Sequence, residues 1–125
     1  MHSTTLAPYV RAWQQRFAEA AQARERRAAA ARAALPTLVR YLVERYGVRR
    51  VWVFGSLVDG GFHERSDIDL AAEGLPPGAA LFRAAAELDD LAAPFTTDLV
   101  PLEEARPALR ARIAARGQLL YDGGR

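Results

Sequence analysis

Three aspartates are spaced so that their carboxylates could meet in the folded chain. Asp67 and Asp69 are separated by one residue in a segment that alternates acidic and apolar side chains. Residues two apart in a strand point to the same face, so both carboxylates would lie side by side. Asp98 lies in a later segment that also alternates polar and apolar side chains. If that segment and the segment of Asp67 and Asp69 form neighbouring strands in register, Asp98 meets the other two carboxylates. Clustered carboxylates repel unless cations neutralise them, and all-oxygen ligands suit Mg²⁺ or Mn²⁺.

A glycine and a serine follow directly on a short apolar run of β-forming residues. Gly55 and Ser56 come after residues 51–54, which read as a buried strand. Glycine lets the backbone approach a bulky anion, and exposed amides with the serine hydroxyl can hold phosphate oxygens. Two carboxylate-bridged cations can activate an attacking oxygen and stabilise a leaving oxygen. The residues alone therefore indicate metal-dependent nucleotide or phosphate chemistry.

The elements that must position these residues alternate between helix and strand. Pro36 should divide a long N-terminal helix from the next, because proline disfavours helical geometry in the residue before it. Predicted helices cover residues 6–34, 36–46 and 79–93, with a last one anchored by Leu109 and Ile113 and ending at Arg116. Predicted strands cover residues 51–54, 67–72 and 95–100, with a short edge strand at 119–121. The expected core face of the third helix is Leu81, Phe82, Ala85, Leu88 and Leu91.

Composition excludes several classes of site. The 125 residues contain no cysteine and two histidines, which rules out disulfides and thiolate chemistry and makes a histidine metal cluster improbable. No apolar run approaches the roughly 20 residues of a membrane span, and we expect a cytoplasmic protein without membrane contact. Residues 1–50 carry ten arginines and three glutamates, whereas residues 51–125 carry seven arginines and twelve acidic residues. A basic N-terminal segment is thus joined to an acidic body.

Taken together, the motifs form G-S-x10-D-x-D followed by a third aspartate. With this set the sequence resembles the nucleotidyltransferases of the DNA polymerase beta superfamily over about residues 36–122. It is most similar to the minimal nucleotidyltransferases, many of which are antitoxins paired with a small helical HEPN-domain toxin. The resemblance implies an α+β fold with a small mixed sheet flanked by helices. It also implies ATP as substrate, two Mg²⁺ ions, and transfer of a nucleoside monophosphate to a hydroxyl, in some pairs a tyrosine of the toxin.

The same resemblance implies a role for each motif residue. Gly55 and Ser56 would bind the triphosphate, Asp67 and Asp69 would bind both metals, and Asp98 would bind the catalytic metal and help deprotonate the acceptor. Relatives often have arginine or tyrosine after the Gly-Ser pair, where this chain has Leu57. We divide the chain into an N-terminal helical extension, residues 1–34, which the family core does not need, and a nucleotidyltransferase domain, residues 35–125.

Two other functions stay open. The chain could neutralise a partner by occlusion alone, or it could modify a small molecule such as an aminoglycoside. A core of about 85 residues leaves little chain to grip a template or antibiotic, which favours a protein acceptor. The arginine-rich tract (Arg24, Arg26, Arg27 and Arg32) has no interleaved aromatic residues, so nucleic acid is a weaker candidate. The extension also carries an apolar stripe that would suit either packing on the domain, a partner or a second copy. The stripe comprises Leu6, Tyr9, Val10, Trp13 and Phe17.

Overall fold

A single helix, α1, forms the first third of the computed structural model, which describes residues 6–124. It runs without interruption from Ala7 to Tyr46 and ends at Gly47, whose left-handed backbone (φ 65°) and N–H bond to the Val43 carbonyl (3.0 Å) cap it as the sequence predicts. The predicted division at Pro36 is wrong, because this proline lies inside the helix.

Packing explains why α1 continues through Pro36. A proline in a helix interior costs about 3 kcal/mol, since it removes one hydrogen bond and crowds the preceding turn. Leu35, Leu38 and Leu42 are buried on both sides of it, and each contributes about 1.5–3 kcal/mol by leaving water. The ring of Pro36 faces solvent. Burial of the three leucines therefore outweighs the local penalty, which sequence reasoning gave too much weight.

Four strands form one mixed sheet in the order β3-β2-β1-β4, which confirms the predicted small mixed sheet. β1 pairs antiparallel with β2 and β4, whereas β2 and β3 pair in parallel. The strands are β1 (Arg50–Phe54), β2 (Ile68–Glu73), β3 (Thr97–Pro101) and β4 (Gln118–Asp122). The remaining elements are α2 (Ser56–Asp59), α3 (Ala79–Ala92), a 3₁₀ turn (Leu102–Glu104) and α4 (Pro107–Arg116).

Helices cover both faces of the sheet. On one face Val53 and Leu70 pack with the buried residues of α1 and α3, and on the other Ala71 packs with Ile113 of α4. The predicted core face of α3 is partly wrong, because Leu88 is buried while Phe82 is 77% exposed. α3 is apolar on several sides, and the small residues Ala84 and Ala92 are buried with Leu88. Its apolar pattern therefore did not define a single buried face.

The first half of α1 extends beyond the domain as an exposed arm, residues 6–26. Every residue of the arm is exposed, and burial on the domain begins only around Ala28 and Ala31. At 1.5 Å per residue the arm is about 30 Å long. The predicted apolar stripe therefore stays open to solvent. None of the helices within residues 6–124 combines the length and apolar character needed to cross a membrane.

Candidate active site

Gly55 joins the end of β1 to the start of α2 and lies against Asp69. Its backbone has φ 76° and ψ −149°, a conformation that side chains rarely allow. A Cβ added at this position would lie 2.0 Å from Asp69 Oδ2 and 3.0 Å from Asp69 Cγ. Glycine is therefore required twice, once for the turn and once for the close approach of the backbone to the carboxylate.

The turn after Gly55 begins α2 next to the contact between Gly55 and Asp69. The carbonyl of Gly55 accepts hydrogen bonds from the amides of Val58 (3.0 Å) and Asp59 (2.8 Å), and the Ser56 carbonyl accepts one from Gly60 (2.9 Å). These bonds hold α2 as a single turn whose first residue is Ser56. The leading amides of any helix have no partner within it, so this turn presents N–H donors and a hydroxyl together.

Two of the three aspartates lie opposite each other on neighbouring strands. In the parallel pairing of β2 with β3, Asp69 is the register partner of Asp98, as Ile68 is of Thr97. Ile68 is fully buried in the core, whereas Asp69 is only half-buried and Asp98 is exposed. The alternation of strand side chains thus places the apolar residue inside and both carboxylates at the surface.

Asp67 precedes β2 instead of forming its first residue. Its carboxylate oxygen Oδ1 accepts a hydrogen bond from the hydroxyl of Thr96, which precedes β3. The two residues lie at the entries of neighbouring parallel strands, and the Ile68 amide donates to the Thr96 carbonyl (2.8 Å) alongside them. The structure therefore brings all five predicted site residues to one end of the sheet.

Electrostatics at this end disfavour the ionised form of Asp69. Partial burial of the carboxylate, followed by the negative charges of Asp98 and Asp67, raises the pKa of Asp69 from 3.8 to about 6. Either a bound proton or a bound cation would offset the repulsion between these carboxylates. No three potential ligand side chains within residues 6–124 are already arranged as a metal cluster. The donors still fit Mg²⁺, since they are carboxylates whose mutual repulsion a cation would offset.

Sequence reasoning missed two polar residues that hold the site in place. Thr96 orients Asp67, as described above. Asp89 of α3 accepts hydrogen bonds from the Thr97 amide (2.7 Å) and the Thr97 hydroxyl (2.8 Å), which anchors β3 next to Asp98. Asp89 occupies an exposed position of an amphipathic helix, so nothing in the sequence distinguished it from a solvated charge.

Part of the arginine-rich tract is attached to the site, which its sequence did not reveal. Arg32 of α1 donates to the Leu57 carbonyl (2.6 Å). Arg27 stacks over the ring of Phe95 at 5.0 Å and donates to the Glu64 carbonyl (3.3 Å). α1 therefore fixes both α2 and the loop between α2 and β2. A cavity of about 610 Å³ lies elsewhere, between α1 and β4, and none of the five site residues lines it.

Comparison with known proteins agrees with this geometry. The family model described as "Polymerase beta, Nucleotidyltransferase" matches residues 37–124, more than two-thirds of the chain. The chain belongs to this nucleotidyltransferase family. The match includes every predicted site residue and begins after the arm. No curated protein matches the chain.

Solved structures with the same fold include antitoxins bound to toxins. An antitoxin structure determined with AMP-PNP is 26% identical with a TM-score of 0.60, over 69% of this chain and 72% of that one. A minimal nucleotidyltransferase is 29% identical with a TM-score of 0.56, over 69% and 88%. A Shewanella oneidensis complex of a tri-AMPylated HEPN toxin with its MNT antitoxin is 21% identical with a TM-score of 0.58, over 74% and 72%, and shows the shared fold alone.

Proposed function

We propose that this chain is a Mg²⁺-dependent nucleotidyltransferase that transfers AMP from ATP to a hydroxyl of a protein acceptor, as the antitoxin of a HEPN-type toxin. One observation carries the proposal. Asp69 and Asp98 face each other on adjacent strands, directly beside the Gly55–Ser56 turn. An anion-binding turn beside clustered carboxylates suits a metal-bound triphosphate.

Each site residue has a distinct part in this reaction. The amides at the start of α2 and the hydroxyl of Ser56 bind phosphate oxygens and orient the α-phosphorus. Asp67, Asp69 and Asp98 would hold Mg²⁺, which neutralises charge on the phosphates and lowers the pKa of a nearby hydroxyl. Asp98 is exposed, so it can accept the proton of an incoming hydroxyl. The acceptor oxygen then bonds to the α-phosphorus while the bond to pyrophosphate breaks, and pyrophosphate leaves.

A protein acceptor fits the size of the domain and its relatives. Within the described chain, residues 27–124 form one sheet packed with the second half of α1 and with α2, α3 and α4, and they include no second domain that could enclose a substrate. The acceptor must therefore bring much of its own binding surface. Solved relatives are antitoxins in complex with toxins, one of them a HEPN toxin carrying AMP groups. Both points favour a toxin as acceptor over a free small molecule.

Mass spectrometry of intact proteins tests the proposal. The chain is incubated with ATP, Mg²⁺ and the protein encoded by the adjoining gene, and both proteins are then weighed. We expect the acceptor to gain the mass of one or more AMP groups. Asp67→Asn should abolish the gain, whereas Asp90→Asn, a matched change at an exposed aspartate of α3, should not. An unchanged acceptor mass with wild-type protein contradicts the proposal.

The exposed apolar stripe of the arm favours a second candidate, neutralisation of a partner by occlusion. In that function the aspartates would not be needed. Growth of cells that express the toxin separates the two. If Asp67→Asn still neutralises the toxin at full strength, occlusion is the better account, and if neutralisation is lost while the complex still forms, transfer is.

A further inference from the structure

The arm presents a continuous apolar surface that no other described element covers. Tyr9 and Phe17 are each 69% exposed and Trp13 is 61% exposed. The rings of Trp13 and Phe17 contact each other edge to face at 6.5 Å, so they form one patch. The largest contiguous apolar patch on a soluble protein measures a few hundred Å² and is often functional, and larger patches mark interaction sites.

The patch lies on the same side of α1 as the residues buried in the domain. With 3.6 residues per turn, Leu6, Trp13 and Phe17 fall on the helix face that Ala31 and Leu35 occupy further along. The domain covers this face only from about residue 28 onward. A partner helix bound along the uncovered part of this face, before residue 28, would therefore contact the edge of the domain.

That domain edge is the one that carries the candidate site. Near its base the arm lines a cavity of about 200 Å³ with Ser56 and Gly60, to which Arg24 contributes. Arg24 also lines a second cavity of about 370 Å³ with His63 and Glu64 in the loop before β2. A partner that follows the patch toward the domain thus arrives beside the Gly55–Ser56 turn.

Most of the charges near the patch are positive. By the same helical spacing, Arg24 lies on the face of the patch and Arg16 beside it, whereas Glu19 lies toward the opposite side of the helix. Glu25 lies at the margin of this face, where it lines the cavity of about 200 Å³ together with Arg24. Within the described chain no ion pair engages Arg16 or Arg24. A partner whose apolar surface is flanked by carboxylates would match this arrangement.

We infer that the arm docks an amphipathic helix of the protein acceptor, apolar on one side with acidic residues along its flanks, and so delivers the acceptor hydroxyl to the Gly55–Ser56 turn. This inference rests on the proposed function, because it names the surface that selects the acceptor. It also assigns a role to the segment that the family match leaves out.

Surface area favours an acceptor over a second copy of the arm. Aromatic side chains bury about 150–250 Å² each, so three that are two-thirds exposed present roughly 300–500 Å². A stable interface takes about 800 Å² from each partner. The three rings supply only part of this area, and two arms laid together would also bring their arginines close to one another. An acceptor that covers the arm and the adjoining site edge reaches the required area.

A pair of matched variants tests the inference in the full chain. Phe17→Ser removes a ring from the patch, and Phe82→Ser removes an equally exposed ring from α3. Neither ring is buried, so both variants should fold. Rates of AMP transfer are measured against the concentration of the adjoining gene's product. We expect Phe17→Ser to raise KM for that protein at least tenfold with kcat unchanged, and Phe82→Ser to change KM less than twofold.

Charge and assembly are measured in the same experiment. Arg16→Glu should raise KM severalfold, and wild-type KM should rise with salt. An unchanged KM in Phe17→Ser overturns the inference, as does a dimer of the chain alone that Phe17→Ser converts to monomer without altering KM. If wild-type protein transfers no AMP, the proposed function fails. In that case the adjoining gene's product is titrated directly into the chain to measure binding. The docking inference then stands only if Phe17→Ser loses binding of that product and Phe82→Ser retains it.

Discussion

Replacing Asp69 with asparagine should make the protein more stable while it abolishes AMP transfer. The pKa of Asp69 is raised from 3.8 to about 6, first by burial and then by the charges of Asp98 and Asp67. Each pKa unit corresponds to about 1.4 kcal/mol, so the full displacement would amount to about 3 kcal/mol. Because the carboxylate is only half-buried, solvent screens much of this. We expect Asp69→Asn to gain about 1 kcal/mol at neutral pH.

The gain should depend on pH in a defined direction. A carboxyl whose pKa is raised by folding favours the folded state below its unfolded pKa, and that advantage is lost as pH rises from about 3.8 to about 6. Wild-type protein therefore carries the full penalty above pH 6 and almost none below pH 4. Urea denaturation at about pH 7.5 and about pH 4 measures the free energy of unfolding at both ends.

Controls separate this effect from a general response to charge. Asp90→Asn removes an exposed carboxylate from α3 and should leave the free energy of unfolding unchanged. The reasoning is refuted if Asp69→Asn is no more stable than wild type at neutral pH, or if its gain is the same at both pH values. Either result would mean that burial and the charges of Asp98 and Asp67 do not disfavour the ionised form of Asp69 in the folded chain.

Three further changes probe other parts of the structure. Gly55→Ala should destabilise the protein by about 1–3 kcal/mol and abolish transfer, because a Cβ would meet the Asp69 carboxylate at a positive φ; thermal unfolding and the transfer assay check this. Thr96→Val keeps the side-chain shape but removes the hydrogen bond to Asp67, so AMP transfer should need a higher Mg²⁺ concentration. The free energy of unfolding should change by less than about 1 kcal/mol. A magnesium titration that matches wild type contradicts this prediction. Pro36→Ala should stabilise the chain against urea by about 1–2 kcal/mol, since the exposed proline removes one backbone hydrogen bond inside the continuous helix α1; a loss of stability would show that the ring itself packs favourably.

The position of the aspartates was predictable because it follows from local rules. Strand side chains alternate with a period of two, so Asp69 had to share a face with its neighbours two residues away. The sequence predicted that Asp98 lies opposite Asp69 only if the two strands are neighbours in register. That register depends on how the whole strands align, which the sequence did not determine. Gly55 was predicted to bind phosphate because glycine lets the backbone approach an anion closely. Its contact with Asp69 forms only in the folded chain and could not be predicted.

What the sequence did not reveal depends on competition between local and long-range effects. Proline disfavours the interior of a helix, but at Pro36 the burial of three neighbouring leucines outweighs this local effect. Phe82 has a strong apolar preference, yet Ala84 and Leu88 decide which face of α3 is buried. Asp89 acts on a strand eight residues further along the chain, beyond any periodic pattern. In each case the outcome depends on what these residues pack against in the folded chain, which the local sequence pattern does not show.

The continuity of α1 also determines where the chain can be shortened. Ala28 and Ala31 are buried in the same core as Leu35 and Leu38, so a cut after residue 34 would open the core. Among the described residues, a cut after residue 26 would remove exposed side chains only. Because α1 passes from the core into solvent as one continuous helix, its direction relative to the strands is fixed. A molecule bound along the arm would therefore approach the candidate site at an angle that the fold determines.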